Sequence, residues 1–208
     1  VLRFEQVVVR YAGVVAVDGA DARVLPGEFV VLTGSNGSGK SSLGRAALGL
    51  VRLAAGAVLV HDRLAVTAAD WRRRRREVAY VPQRTAIGAF PLHVDDLLAS
   101  GGDARTARAA ADRLGIGQLA TRPLTTLSGG QLQRAYLARA VGALAAGAGA
   151  LVADEPTSAL DFEGQDHVAA LLAELPVARL VISHDSAVVS RADRVLEMAG
   201  GRLRERPS

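Results

Sequence analysis

Gly34-Ser35-Asn36-Gly37-Ser38-Gly39-Lys40-Ser41 is the segment that most narrows what this chain can fold into. It fits the pattern G-x-x-x-x-G-K-[ST], whose glycines let backbone N–H groups turn inward and approach phosphate oxygens closely. The flanks have the character the motif needs. Phe29 to Thr33 is a short apolar run, the pattern of a buried strand, and Ser41 to Leu50 reads as a helix that opens at the loop. Such a helix aims its unpaired N–H groups and the positive end of its dipole at the same phosphates. Lys40 is expected to reach the β- and γ-phosphates of a nucleoside triphosphate and Ser41 to ligate Mg2+, with Ser42 beside them. Composition sharpens the point: Lys40 is the only lysine among 25 basic residues, all the others being arginine. A chain that uses arginine everywhere else keeps a compact ammonium here rather than a planar fork.

The second feature is Ala150-Leu151-Val152-Ala153-Asp154-Glu155, a buried-strand pattern that ends in two carboxylates. Beside a phosphate loop, Asp154 is expected to hold Mg2+ directly or through water, and Glu155 to act on the attacking water as general base. Around these motifs strands and helices alternate. Leu2 to Val9, Val14 to Val24, Ala57 to Val60, Val78 to Val81, Leu180 to Ser183 and Arg194 to Met198 read as strands; Gly129 to Leu144 and Glu163 to Leu175 read as helices. Between Pro82 and Leu127 the texture turns helical, with Val94 to Ala99 and Ala104 to Leu114 punctuated by Gly115, Gly117 and Pro123. The expectation is an α/β fold: a P-loop NTPase core with a mostly parallel sheet covered on both faces, an antiparallel β lobe, and an inserted helical lobe. One domain is expected over 1–208, with core at 1–82 and 146–208 and the helical lobe at about 83–145.

A chain of 208 residues with 50% hydrophobic and 22% charged residues is an ordinary globular one, and it has no cysteine for disulfides or thiolate metal sites. The longest uncharged apolar stretch, Ala140 to Ala153, falls short of the ~20 residues a bilayer span needs. With Arg3, Glu5 and Arg10 inside the first apolar run, no signal peptide is expected. A role at a membrane therefore implies docking on a separate membrane subunit. The net charge of +4 is compatible with nucleic acid, a membrane surface or phosphorylated ligands without choosing among them. The loudest charge feature, Arg72 to Arg76, reads as a solvated face, with contact to anionic headgroups or nucleic acid as the alternatives.

Leu127-Ser128-Gly129-Gly130-Gln131 resembles the signature motif of ABC ATPases. On its own it is also a serine-capped helix start, a second place where backbone N–H groups meet an anion. The other elements of that family stand in order. Tyr11 matches the aromatic that stacks on adenine, packing on the first sheet being the other reading. Gln83 matches the Q-loop glutamine, which contacts Mg2+ or water and senses the membrane partner. Ser158-Ala159-Leu160-Asp161 matches the D-loop, and His184 the switch histidine that contacts the γ-phosphate. The resemblance runs from about Leu2 to Leu203. One departure is Ala153, where the family often has a larger aliphatic residue. Ending soon after Leu203, the chain is also expected to lack the C-terminal regulatory domain of some relatives.

The resemblance implies an ATP hydrolase using Mg2+, with catalytic Glu155, His184 and Gln83. Ser41, Gln83 and Asp154 would hold the metal. Tyr11, the loop from Gly34 to Ser42, and Ser128, Gly129, Gly130, Gln131 and Asp161 would hold nucleotide, the last five on the ATP of a head-to-tail partner chain, a homodimer. It further implies a transmembrane permease, an extracellular substrate-binding protein, a place at the cytoplasmic face of the membrane, and no nucleic acid. His61, His93 and His167 have no partner pattern and are assigned no metal. The stretch from Val81 through Phe90-Pro91-Leu92-His93-Val94 resembles ATPases of zinc, manganese and iron-chelate importers, so metal import is the expected cargo class. The competing readings are a soluble ABC ATPase of translation or DNA maintenance and a non-hydrolysing scaffold; the presence of Glu155, Gln83 and His184 argues against the latter.

Overall fold

The computed structural model describes residues 1–83 and 92–206. Arg84 to Pro91, which include part of the importer-like segment, lie outside the described residues. In chain order the elements are β1 (Leu2–Tyr11), β2 (Val14–Val24), β3 (Phe29–Thr33), α1 (Lys40–Ala47), β4 (Leu53–Val60), α2 (Ala68–Glu77), β5 (Val78–Val81), α3 (Val94–Ala99), α4 (Ala104–Arg113), α5 (Gly129–Ala145), β6 (Ala150–Asp154), α6 (Phe162–Glu174), β7 (Ala178–Ile182), α7 (Ser186–Val189), β8 (Arg194–Ala199) and β9 (Arg202–Glu205). Short 3-10 turns at Gly117–Leu119 and Leu124–Thr126 connect α4 to α5.

Two sheets form. A six-stranded sheet runs β5-β6-β7-β3-β8-β9, and a three-stranded sheet runs β2-β1-β4. In the larger sheet β5, β6, β7, β3 and β8 are parallel, and β9 returns antiparallel to β8. The smaller sheet is antiparallel throughout.

Strand periodicity explains how the large sheet is buried. Successive side chains point to opposite faces. Phe29, Val31, Ala79, Val81, Leu151, Ala153 and Val181 join one core with α3, α4, α5, α6 and α7. Their neighbours Val30, Leu32, Val78, Ala150, Val152, Leu180 and Ile182 join the other, with α1 and the antiparallel sheet. Strands covered on both faces need unbroken apolar runs, which is why Phe29–Thr33 and Ala150–Ala153 carry no alternation. All the helices between β5 and β6 that the structure describes lie on one face. There α5 packs on β5, α3 and α4, and the buried Gln133 on α5 donates to the Pro82 carbonyl just past β5, at 3.3 Å.

Local differences from the sequence reading have identifiable causes. The first helix stops at Ala47 rather than Leu50, because Gly49 takes a left-handed φ of 68° and its missing side chain admits the Trp71 ring. The arginine run belongs to a helix, α2, that hydrophobic periodicity does not announce. Thr67 accepts from the Asp70 N–H while the Asp70 carboxylate accepts from the Thr67 N–H and hydroxyl, a capping box. Those hydrogen bonds hold the Asp70 carboxyl down at about 2. Arg72, Arg73, Arg75 and Arg76 are exposed, as a solvated face requires, but Arg74 is buried. Its guanidinium lies over Trp71, 5.2 Å from the ring centroid, and donates to the Arg63 carbonyl at 2.8 Å.

Since α2 has little apolar surface to hold it, its cap matters. Thr67→Ala is expected to cost about 1 kcal/mol and to lower the thermal midpoint by about 2–4 °C. Calorimetry of the nucleotide-free chain measures this.

Candidate nucleotide site

Parallel strands send all their C-terminal ends to one edge of the sheet, and in open α/β sheets that edge is where ligands bind. Here β3 delivers the phosphate loop, β5 delivers Gln83, β6 delivers Asp154 and Glu155, and β7 delivers His184. A cleft of about 570 Å³ opens between them, lined by Tyr11, Ala16, the loop from Asn36 to Ser42, Gln83 and Glu155.

The loop is wedged between two backbones. Gly34, at φ 139°, sits so close to Met198 that a Cβ there would come within 2.1 Å of the Met198 carbonyl oxygen. Gly39, at φ 109°, stands in the same relation to the Ala16 carbonyl, again at 2.1 Å. Both the left-handed conformation and the space exclude a side chain at these positions. Leu43 N–H donates to the Gly39 carbonyl at 3.0 Å, so the helix grows directly from the loop. The buried Lys40 ammonium arches back across the loop and donates to the carbonyls of Gly34 and Ser35, at 2.7 and 2.8 Å.

Ser41 joins the loop to β6. Its hydroxyl donates to Asp154 Oδ1 at 3.1 Å. Asp154 is 1% exposed, and its Oδ2 meets no hydrogen-bond partner among the described residues. Burial pushes the Asp154 carboxyl up, against the opposing pull of the Ser41 hydroxyl and of Arg45. A buried carboxylate oxygen beside a serine hydroxyl is a hard-oxygen arrangement of the kind that suits Mg2+, an ion usually bound by a few protein oxygens plus phosphates and water. Among the described residues no cluster of His, Cys, Asp and Glu is large enough to hold a metal alone.

Glu155 is the first residue past β6. Its N–H extends the β6–β7 pairing by donating to the Ile182 carbonyl at 2.8 Å, and its φ of 49° is a left-handed value that costs a non-glycine residue about 1–3 kcal/mol. The side chain is largely buried. Oε1 lies 3.1 Å from Nδ1 of His184, whereas Oε2 has no partner among the described residues. His184 itself is 77% exposed. Tyr11, at the end of β1, is 45% exposed at the mouth of the cleft.

The remaining motif stands apart. Ser128 caps α5 in a reciprocal bond with Gln131, at 3.2 and 3.0 Å. Neither these residues nor Gly129, Gly130 and Asp161 line the cleft. They pack on one another instead: a Cβ on Gly130 would be 2.8 Å from the Ala159 carbonyl. Asp161 caps α6 by accepting from the Gly164 N–H at 3.0 Å. The sequence reading missed Ala16, which seals the loop and lines the cleft, and Arg45, whose charge bears on Asp154. No motif marks either one; only the register of β2 and the turn of α1 bring them in.

A phosphate loop at the end of a central parallel strand, with an acidic pair at the end of a nearby one, defines a P-loop ATPase. Comparison with known proteins identifies the branch: the ABC transporter family model matches residues 17–158, and the chain belongs to that family. It is 36% identical over 203 residues to the zinc import ATP-binding protein ZnuC of Pseudomonas entomophila, covering 94% of this chain and 73% of that one. Identity to the ZnuC of Paracoccus denitrificans is 42%, with 86% and 68% covered. Among solved structures, a dimeric bacterial ABC transporter cassette matches in fold at a TM-score of 0.88 and 24% identity, over 99% of this chain and 98% of that one. The cbiO1 subunit of the cbiONQ transporter complex of Clostridium perfringens matches at 0.79 and 25%, over 98% and 86%. The chain is thus an ATP-binding, ATP-hydrolysing subunit of an ABC transporter, and these relatives do not favour a soluble role in translation or DNA maintenance.

Because the raised Asp154 carboxyl prefers its proton in the fold, ionisation costs stability as pH rises from its ordinary 3.8 through the raised value, and the cost is complete above that. At neutral pH in a chelator, Asp154→Asn is expected to raise the thermal midpoint of the nucleotide-free chain by a few degrees, at about 2–4 °C per kcal/mol. An unchanged or lower midpoint in calorimetry contradicts the uncompensated charge.

Proposed function

We propose that this chain powers metal import, zinc being the favoured cargo, by hydrolysing Mg2+-bound ATP at the cytoplasmic face of a membrane. The observation behind the hydrolytic part is the constellation at the end of β6: Ser41 bonded to Asp154, and Glu155 held against His184 with one carboxylate oxygen free for another partner.

The roles follow from position. Tyr11 stacks on adenine at the cleft mouth. The N–H groups from Gly34 to Ser42 cradle the phosphates, and Lys40 moves from its carbonyl contacts onto the β- and γ-phosphate oxygens, which offer an ammonium far more charge. Ser41, Asp154 and Gln83 would hold Mg2+, which would offset the negative charge of the phosphates. Glu155 takes a proton from the attacking water onto Oε2, while His184, fixed through Nδ1, presents its other ring nitrogen to the γ-phosphate. Little covalent chemistry falls to the protein; placing charge is its contribution.

Ser128, Gly129, Gly130, Gln131 and Asp161 serve the nucleotide of a second copy. Their location outside the chain's own cleft favours this, as do the dimeric cassettes of the same fold. Two copies placed head to tail close two cleft-to-signature sandwiches under two-fold symmetry. We assign the helices of about 83–145 to a lobe that carries the signature, and 1–82 with 146–208 to the core. A permease subunit holds the pair at the membrane, and an extracellular substrate-binding protein completes the importer. None of the helices described here is long and apolar enough to cross a membrane. Zinc as cargo rests on the likeness to the ZnuC zinc import proteins; the hemin import ATP-binding protein HmuV of Rhodopseudomonas palustris, 35% identical to this chain, points to a different metal cargo.

Glu155→Gln is expected to bind ATP yet turn it over at least 100-fold more slowly, and to elute as a dimer in size-exclusion chromatography with ATP. A monomer under those conditions removes the sandwich. Deletion of the gene is expected to lower uptake of radioactive zinc from zinc-poor medium; normal zinc uptake with impaired hemin uptake reassigns the cargo.

A further inference from the structure

We propose that Arg134 is a positioning residue that ties the signature helix to the turn carrying Asp161, and through that turn to the Glu155 of the same chain. The proposal rests on the two-copy reading above, in which the start of α5 contacts the partner's nucleotide.

Arg134 lies on α5, past Ser128, Gly129 and Gly130 by little more than a helical turn. Its side chain is 28% exposed, well covered for an arginine, and it runs across to other elements rather than into solvent. Nη1 reaches toward the Leu114 carbonyl at the end of α4, at 3.5 Å, and Nη2 lies 3.9 Å from Asp161 Oδ1. The guanidinium fits because of Gly164: a Cβ there would come within 2.7 Å of Nη2. Asp112, Arg113, Glu163 and His167 line the same recess.

What the guanidinium touches continues to the catalytic carboxylate. Asp161 ends a turn that begins at Ser158, and Ser158 is bound twice to the Glu155 carbonyl, by its N–H at 3.3 Å and its hydroxyl at 3.1 Å. In the middle of the turn Ala159 abuts Gly130. The start of α5 and the residue after β6 are therefore joined by two routes: the steric contact of Gly130 with Ala159, and the ion pair of Arg134 with Asp161. The second is the adjustable one. At 3.9 Å the pair is an ionic contact just beyond hydrogen-bond range, so a displacement of under 1 Å converts it to a charge-assisted hydrogen bond. A signature helix drawn onto the partner's nucleotide pulls this turn with it, and Glu155 follows through Ser158. Arg134 touches no reacting atom. It sets whether occupancy of the one site is felt at the other.

The test is steady-state ATP hydrolysis by the full chain over a range of ATP concentrations, with thermal midpoint and ATP affinity measured alongside. Arg134→Lys keeps the charge but not the forked reach. Gly164→Ala keeps the arginine and displaces it. For both we expect kcat to fall about 10-fold, KM for ATP to stay within about 2-fold, and the Hill coefficient to drop toward 1, with midpoint and ATP affinity unchanged. A cooperative wild type with equally cooperative variants overturns the proposal, as does a kcat loss that only tracks a lowered midpoint. A wild type that is itself non-cooperative, with a rate proportional to protein concentration, overturns the two-copy reading instead, and this proposal with it.

Discussion

The parallel run β5-β6-β7-β3-β8 is the constraint on which the site depends. A parallel strand buried on both faces can end only at the sheet's rim, and every strand of the set ends at the same rim. One loop, an adjacent pair of carboxylates, a glutamine and a histidine, scattered between positions 34 and 184, are thereby brought to the same rim although the four segments that carry them lie far apart in sequence. The apolar runs that make the sheet insoluble on either face are what place the polar groups. A slip of β6 by one residue would send Asp154 to the opposite face, turning the carboxylate proposed to hold magnesium into a charge buried in the core.

The cleft is the place where the fold gives up stability. Asp154 Oδ2 and Glu155 Oε2 are buried and unpartnered among the described residues, and Glu155 adopts a left-handed backbone. Elsewhere in the core, buried polar side chains are at least partly engaged: Arg179 donates through Nη1 to the carbonyls of Leu172 and Ala173 and lies over Phe29, although its Nε has no partner among the described residues, and Gln133 reaches Pro82. Departures from local consistency concentrate where a protein must bind or react. In the proposed mechanism these two oxygens would meet magnesium and water.

Much of this was legible in the sequence, for a physical reason. The phosphate loop, the acidic pair and the serine cap of α5 are each defined by residues adjacent in the chain, and their strand or helix context is local too. What stayed hidden depended on partners far away or on weak periodicity. The helix α2 carries arginine on every side and almost no apolar stripe, so its capping box and the Trp71–Arg74 stack, rather than amphipathicity, mark it. Arg74 reads as one charge in a run and proves to be an interior residue, since a guanidinium with a carbonyl and an indole face to satisfy it can be buried. Ala16 has no chemistry to advertise, and its carbonyl limits the phosphate loop only because β2 crosses there.

The solitary lysine has a meaning beyond phosphate binding. With arginine at every other basic position, the chain has a single side-chain amine, and it sits buried in the cleft with its hydrogens on the Gly34 and Ser35 carbonyls. Guanidinium groups are inert to the acylating reagents that attack amines. The α-amine apart, the surface offers such reagents no amine, so a covalent mark on a lysine side chain can come only from Lys40 and reports whether the phosphate loop is open or occupied.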